Sequence, residues 1–452
     1  MESNYPRESS EAGHDSGKEF VSPYGNRPLK LLEHLTISGF WFATNFHWGA
    51  LLLILLPGDI KLLAGEHKAQ MLGLITGIGA IPALIVPLIS GAMSDRCMRP
   101  EGRRKPYIAI GVLLNMIGLA LMAFSVISLK SLPAYFLSYG IVQIGNNIAS
   151  GAYMGVIPDV VPRSEHGKAS GFMALMSQLG TLFGAIGVGM LIPDSAVGLR
   201  YGLIAVVLLV AGILSYQGIK ENKLDKAEPF VLGEYIRSLW IDPKQHPNFA
   251  WVWFTRFLVM MGFYSIMPFV NYYLVDVVGI PQAEVGQKAP VLLALILLVS
   301  SITGIYGGVL SDKIGRKKVV YVANTIIAIV APAFILCHNL GAALLVGALF
   351  GIGYGAYISV DYALGTDVLP HQEEAGKDMA VWHVAMTLPQ SIGAPIAGIL
   401  IALPGVTKEV NPIKGEPVIY HYFTLGYGYI FLLCSICFAL GAYLLKNVKG
   451  IN

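Results

Sequence analysis

Charge is what this sequence has least of. Lys, Arg, Asp and Glu together make up 13% of its 452 residues, about half the share in an ordinary soluble domain. A chain with 55% hydrophobic residues and so few charges cannot hide its apolar surface in one aqueous globule. Cysteine is scarce as well. Cys97, Cys337, Cys434 and Cys437 show no zinc or redox spacing supported by nearby His, so they read as small buried hydrophobes. No phosphate-cradling loop, zinc-ligand set or nucleophile elbow is present, which leaves ATP-driven pumping and intramembrane hydrolysis without visible equipment. The short alternating segments of a membrane β-barrel are missing too. The expectation is a protein that is not an enzyme, needs no metal or organic cofactor and binds no nucleic acid.

In place of charge stand apolar runs of about 20 to 28 residues, each long enough to cross roughly 30 Å of hydrocarbon as a helix. Twelve are read, near 31–57, 68–94, 105–127, 133–160, 168–192, 199–219, 249–275, 288–311, 317–338, 341–368, 378–403 and 422–447. Residues 1–28 are polar and read as a disordered cytoplasmic tail, not a secretory signal or a span. With the N-terminus in the cytoplasm, the tails and even-numbered connections hold about 23 of the 31 Lys and Arg, the opposite side about 7, and Arg256 falls inside a span. Basic residues are held back on the cytoplasmic side. Both termini are therefore expected in the cytoplasm, with the lipid bilayer of the plasma membrane as the protein's surroundings.

The stretch GAMSDRCMRPEGRRKPYI at 91–108 is echoed by GGVLSDKIGRKKVVYV at 307–322. Gly91, Ser94, Asp95, Arg96, Gly102, Arg103, Arg104 and Lys105 correspond to Gly308, Ser311, Asp312, Lys313, Gly315, Arg316, Lys317 and Lys318, with about four extra residues in the first copy. SGFWF (38–42) likewise opens span one as MGFYS (261–265) does span seven, and GAYMGVIPDVVPRSEHGK (151–168) matches GAYISVDYALGTDVLPHQEEAGK (355–377). The fold class expected is all-α integral membrane, with twelve transmembrane helices in two six-helix pseudo-symmetric bundles. The bundles are 29–220 and 249–452, joined by a cytoplasmic linker at 221–248. Within that linker PFVLGEYIRSLW could lie on the membrane surface with Phe230 and Trp240 inward.

Gly-x-x-Ser-Asp-Arg followed by Gly-Arg-Arg-Lys, between spans two and three and again in altered form between eight and nine, resembles the signature loop of the major facilitator superfamily. Through the duplicated layout the resemblance covers the whole chain. SDRC spaced from GRRKPYI, with TRFLVMMGFY, VDYALGTDVLP and LPQSIGAPIAG, is similar to the sucrose-transporter-like and glycoside–cation symporter group. That resemblance implies a carrier working by alternating access, with a substrate site between the halves and spans seven and ten lining the cavity. Drug–proton antiporters of the superfamily carry a Gly-x-x-x-Gly-Pro signature in span five, and here Ala185 follows Gly184 where that Pro would stand.

Asp95 and Asp312, with Arg96, Arg103, Arg104, Arg316 and Lys317, are the expected cytoplasmic gate, forming contacts as the cytoplasmic ends close and breaking them as they part. Asp159 and Asp367 form a second matched pair at helix C-termini, unfavourable places for an anion, so each needs a cationic partner. Arg163 and the arginines of the first loop are the candidates for Asp159.

Ionisable groups inside hydrocarbon are expensive unless paired or facing water. Arg256, Asp361 and His383 lie at similar depth in spans seven, ten and eleven. The expectation is that Asp361 alternately binds a proton and pairs with Arg256, while His383 tunes or relays that proton. A permanent ion pair that only fixes helix packing is the competing reading. His47 in span one is a further titrating candidate.

The middle of the membrane carries neutral polar groups. Gln143, Asn146 and Asn147 share one face of span four by their i, i+3, i+4 spacing, and Asn45, Gln178 and Gln390 lie at comparable depth. Amides both donate and accept without net charge, which suits hydroxyl-rich ligands. Tyr264 and Trp382, with Trp41 and Tyr272, offer flat faces for a ring. The expected function is secondary active transport of a small neutral polar solute, a sugar or glycoside, with protons or sodium, by a monomer. The alternative is a proton-coupled exporter of amphiphilic compounds or other metabolites.

Overall fold

The computed structural model describes residues 22–25, 27–162, 165–221, 231, 233, 237, 240–370, 375–409 and 418–449. Among them twelve long helices form: α1 Leu31–Ala50, α2 Lys68–Asp95, α3 Lys105–Phe124, α4 Leu132–Tyr153, α5 His166–Gly189, α6 Val197–Gly218, α7 Pro247–Ile266, α8 Val285–Ile314, α9 Arg316–Val330, α10 Leu340–Asp367, α11 Ala375–Ala402 and α12 Thr424–Leu444. The fold is all-α. Ten segments are long and apolar enough to cross a membrane, the first of which, Leu31–Asp95, contains both α1 and α2. α4 is outside that set, because Gln143, Asn146 and Asn147 lower its mean hydropathy.

Close helix packing comes from small residues, which let backbones approach where no hydrophobic force separates protein from lipid. Gly180 and Gly184 of α5 lie against the Phe42 and Phe46 carbonyls of α1, and Gly111 of α3 against the Gly145 carbonyl of α4. In the second half Gly355 of α10 touches the Ser300 backbone of α8. Any β-carbon at these glycines would overlap the facing chain.

α1 does not stop at Ala50. A π turn at Leu51–Leu55 passes directly into a further helical segment, Leu56–Ala64. Pro57 has no N–H, so the Leu53 carbonyl four residues back loses its usual helical donor. Asn271 of the second half takes that carbonyl, its Nδ2 donating at 2.6 Å, and the Tyr272 hydroxyl donates to the Pro57 carbonyl at 2.8 Å. The irregular helix thus becomes a seam between the two halves.

This seam lies at the end of the bundle opposite the two basic loops, hereafter the far end. There α2 and α11 meet backbone to backbone, with Gly73 against the Ala394 carbonyl, Gly77 against Pro395 and Gly398 against the Ala69 carbonyl. A hairpin missed by the sequence reading closes over them, with β1 Val406–Glu409 antiparallel to β2 Ile419–Tyr422 and Val406 opposite Tyr422. The Tyr422 hydroxyl accepts from the Ala69 N–H at 3.1 Å and donates to the Glu66 carbonyl at 2.6 Å, gripping the first half. Asp276, in the segment that continues α7, grips the other side of the hairpin, accepting from the Tyr422 N–H at 3.2 Å and from the Tyr427 hydroxyl at 2.6 Å. His421 Nδ1 completes that set, 2.9 Å from Asp276.

At the basic end, Gly102 and Gly315 take φ of 127° and 103°, in the region that strains any residue with a β-carbon. They are the matching glycines of the two repeated loops. Each turns the chain sharply enough to start the next helix with basic residues at its first turn.

Candidate functional site

The basic end is organised by Arg104, only 4% exposed. Its Nε donates to Asp159 at 2.8 Å and its Nη1 to Ser94 Oγ at 2.6 Å, and its guanidinium also pairs with Asp95. Arg103 pairs with the other Asp159 oxygen. The Arg104 N–H donates to Glu221 at 2.8 Å; burial pushes the Glu221 carboxyl above its ordinary range, an effect this bond partly offsets. In the second half Arg316 pairs with Asp367 at 3.0 Å, while Lys317 Nζ donates to the Val448 carbonyl at 2.7 Å and has no acidic partner among the described residues. Arg96 Nη1 donates to the Ala92 carbonyl of its own helix at 2.9 Å.

Each of these ion pairs lies within one half: Arg104 joins Asp95 inside the first signature stretch, and the others join a signature loop to the chain just past α4 or to the end of α10. The pairs seen brace each half internally, supplying the cations that Asp159 and Asp367 need at helix C-termini. The Asp312 side chain, Arg163 and most of the linker, including Phe230, lie outside the described residues; Trp240 is described and is exposed.

Deep between α7 and α10, Arg256 Nη1 is paired with Asp361 Oδ2, both nearly fully buried. The Tyr357 hydroxyl donates to the other Asp361 oxygen at 2.8 Å, one helical turn back. The Arg256 guanidinium also lies over the Trp382 ring, 4.8 Å from its centroid, and Nη2 reaches Met386 Sδ at 3.6 Å. Its Nε has no partner. His383 is half-buried on α11 beside this group but makes no hydrogen bond to either ion among the described residues. Trp382 is 1% exposed. Its face is taken by Arg256, so it is not an open platform for a solute.

Seven residues further along each helix sits a second pair. Phe263 of α7 and Tyr354 of α10 stack with centroids 4.6 Å apart and planes 7° from parallel. Arg256 to Phe263 and Tyr354 to Asp361 are each two turns, roughly 10 Å of rise. The ion pair and the aromatic pair are therefore two rungs between the same two helices. Around the aromatic rung lies a cavity of about 100 Å³, lined by Phe263, Met267, Phe334, Phe350, Tyr354 and Phe431, with Leu53 and Thr181 contributed by the first half. Its lining is almost wholly apolar. Tyr264 is half-buried and meets Phe263 edge-on at 5.4 Å.

Apart from Gln390 on α11, the neutral polar set lies on the first half, and its α4 members are largely occupied with neighbouring groups. Gln143 Nε2 donates to the Tyr139 hydroxyl at 2.7 Å, and Asn147 Nδ2 donates to the Gln143 carbonyl at 2.8 Å and its Oε1 at 3.1 Å. Asn146 Oδ1 accepts from Trp48 Nε1 at 3.1 Å, leaving Asn146 Nδ2 without a partner. Asn45 Nδ2 donates back to the Trp41 carbonyl at 2.8 Å. His47 is enclosed, with neither ring nitrogen hydrogen-bonded. Gln178 is exposed and Gln390 half-buried, and Tyr272 is spent on the seam.

Lys68 and Asp59 are among the buried charged groups that the sequence does not single out. Lys68, 1% exposed, lies over the Tyr272 ring at 4.8 Å and donates to the Tyr420 carbonyl of the hairpin. Asp59, 4% exposed, accepts from the hydroxyls of Tyr201 at 2.6 Å and Tyr135 at 3.0 Å. Asp59 falls in the expected connection after span one and Lys68 at the first position of span two. The signal that could have found Asp59 is Pro57, which interrupts the helical ladder without ending the helix.

The sequence profile of the Major Facilitator Superfamily matches residues 36–287 and again 252–449, one match centred on each half. The chain belongs to this superfamily. Its members are transporters and not enzymes, and this protein is an integral membrane transporter. Among its relatives, the multi-drug resistance efflux pump PmrA of Streptococcus pneumoniae is 26% identical over 381 residues, covering 80% of this chain and 88% of that protein. Of solved structures, a mutant of the nucleoside transporter NupG superposes with a TM-score of 0.70 at 13% identity, covering 92% of this chain and all of that one. A D-xylose–proton symporter gives 0.66 at 15% identity, covering 94% and 98%. These structures establish the fold; the narrower likeness to sucrose-transporter-like symporters finds no support in them or in PmrA.

Proposed function

We propose that this transporter moves small amphiphilic organic compounds bearing a flat ring, in exchange for protons and outward from the cytoplasm. The observation that carries it is the two-rung arrangement of α7 and α10. One rung is a buried ion pair whose carboxylate can take a proton; the other is an aromatic stack at the edge of an apolar cavity reached by both halves. Protonating Asp361 removes the charge that holds Arg256, and the same helices carry Phe263 and Tyr354. A change at the first rung therefore acts directly on the walls of the second. The efflux activity named for PmrA supports this reading.

In this account the basic end faces the cytoplasm, following the distribution of Lys and Arg. The substrate enters between the halves from that side while the far end is shut by the α2–α11 contact and the hairpin. Asp361 is the coupling carboxylate, Arg256 its counter-ion, Tyr357 the donor that serves the carboxyl whether it is charged or neutral, and Trp382 the ring that supports the guanidinium. His383 tunes the pair by proximity. The substrate touches Phe263, Tyr264 and Tyr354, with Gln178 and Gln390 supplying polar contacts on either side.

A second reading, symport of a sugar or glycoside, is favoured by the amides Gln143, Asn146 and Asn147. It is the weaker one, because most of their hydrogen-bonding capacity is used within the first half and the cavity walls are aromatic. Reconstituted vesicles with an imposed pH gradient separate the two. Proton-driven movement of ethidium, with no uptake from a panel of labelled sugars, is the expected result; sugar accumulation with no ethidium movement would reverse the assignment.

A further inference from the structure

Among the buried carboxylates that the coupling pair leaves unused is Asp59. Asp59 lies in the helical segment that continues α1, with no cation in ion-pair reach among the described residues. A carboxylate without a counter-ion at this depth is expensive, and Asp59 is held only by two phenols. Tyr201 of α6 and Tyr135 of α4 both donate to its Oδ2, and their own hydroxyl oxygens lie 3.1 Å apart. Phenols both donate and accept. The three oxygens can therefore satisfy a charged carboxylate, with both phenols donating, or a neutral carboxyl that donates to one of them. The Asp361 site differs: Tyr357 can serve both forms of its carboxyl, but the guanidinium only donates, so protonation breaks the ion pair.

Asp59 also borders a cavity of about 490 Å³ at the far end, whose polar lining residues from both halves include Lys61, Asp194, Arg200, Asn271, Tyr272 and Gln282. These are the charged and polar groups that share its surroundings. Lys61 stands on its own segment, Arg200 beside Tyr201 on α6 is paired with Asp194, and Asn271 and Tyr272 come from the opposite half. The two bonds that close the seam, Asn271 to Leu53 and Tyr272 to Pro57, end on the residues just before Asp59. Opening the far end must release those bonds and expose the segment that carries it.

We infer that Asp59 is a second proton-binding carboxyl of the transport cycle, loaded from the far side through this cavity when the halves part there. The inference rests on the proton-coupled reading above and adds a site to it. Asp361 is the carboxyl whose protonation rearranges the protein; Asp59 is the one that can gain and lose a proton with its partners in place.

The test uses the purified full-length protein and three variants, Asp59→Asn, Asp59→Glu and the double change Tyr135→Phe with Tyr201→Phe. Infrared difference spectra between acid and alkaline buffer, taken without substrate, should show a protonated-carboxyl band that Asp59→Asn removes, Asp59→Glu restores and the double tyrosine change shifts. In reconstituted vesicles the wild-type ethidium flux should change up to about tenfold per unit of far-side pH, as a single titrating carboxyl requires, and Asp59→Asn should flatten that dependence while the near-side dependence persists. An unchanged infrared titration together with an unchanged far-side profile in Asp59→Asn overturns the inference. Should wild-type ethidium flux ignore pH altogether, the proton-coupled reading fails, and the infrared band still decides whether Asp59 binds a proton: its loss in Asp59→Asn supports the site, its persistence rules the site out.

Discussion

Phe263 and Tyr354 lie face to face between α7 and α10, 4.6 Å apart, two turns from the ion pair that joins the same helices. An aromatic pair of this kind contributes about 1 kcal/mol beyond its buried area, and its outer faces are the natural seat for a flat ligand. Phe263→Ala is predicted to raise the half-saturating ethidium concentration about tenfold, while Tyr354→Phe, which keeps the ring, stays close to wild type. Transport kinetics in vesicles check this; equal losses in both variants would mean the phenol oxygen, and not the stack, matters.

Trp382 supports Arg256 through its ring, since its Nε1–H has no hydrogen-bond partner among the described residues. Trp382→Phe should therefore leave proton-driven transport nearly intact. Trp382→Leu removes the cation–π contact, a loss of about 2 kcal/mol in a desolvated site, and should shift the pH profile of transport while substrate exchange continues. A Phe variant as impaired as the Leu variant would point to packing volume instead.

Arg104 and Arg103 share Asp159 yet should differ sharply. Arg104 is buried, pairs with Asp159 and the exposed Asp95 and donates to Ser94 Oγ, so Arg104→Ala removes a donor from all three and is predicted to destabilise by about 2 kcal/mol. The Arg103 side chain is 26% exposed, and its pair is worth about 1 kcal/mol at most. Thermal unfolding of the detergent-solubilised protein gives the comparison. Since both clusters lie within one half, neither change should prevent the far end from closing.

His421 makes the far-end strap sensitive to pH. Its hydrogen bond to Asp276 raises its pKa above the ordinary value of 6.5, with a smaller contribution from Glu409 and some opposition from burial. A raised pKa means the protonated form belongs to the clamped hairpin. Its contribution is fully present below about pH 6.5 and is lost as pH rises through the higher folded value. A pair of spin labels across the far end should report more opening at alkaline pH, and His421→Gln should remove that dependence; a pH response that survives in His421→Gln would assign it elsewhere.

Much of this architecture can be read from the residues. The duplicated basic loops, the twelve apolar runs and the scarcity of charge at depth lead to two six-helix halves, and the family resemblance, which lines the cavity with spans seven and ten, brings Arg256 and Asp361 together. What escaped the reading depends on contacts far apart in sequence or on helices that fail to end where hydropathy falls. Asp59 looks like a loop residue until Pro57 and the π turn are found inside a continuing helix, and Lys68 looks like the solvated end of span two until the hairpin covers it. The hairpin at 406–422 is too short and polar to announce strands, and it exists because Asp276 and Glu66 hold its two sides. Trp382 looks like a platform for substrate until α7 places a guanidinium over it.

The central claim is that the Arg256–Asp361 pair couples proton movement to the switch between states. The most direct measurement sets Asp361→Asn in reconstituted vesicles and compares two fluxes of ethidium, one driven by a pH gradient and one an exchange at equal pH. The account predicts that gradient-driven movement disappears while exchange remains, since the Asn amide oxygen can still accept from Arg256 and its NH2 can donate to the Tyr357 hydroxyl oxygen, but the amide cannot carry a proton. Full gradient-driven accumulation by Asp361→Asn would contradict it and leave the pair as a structural brace.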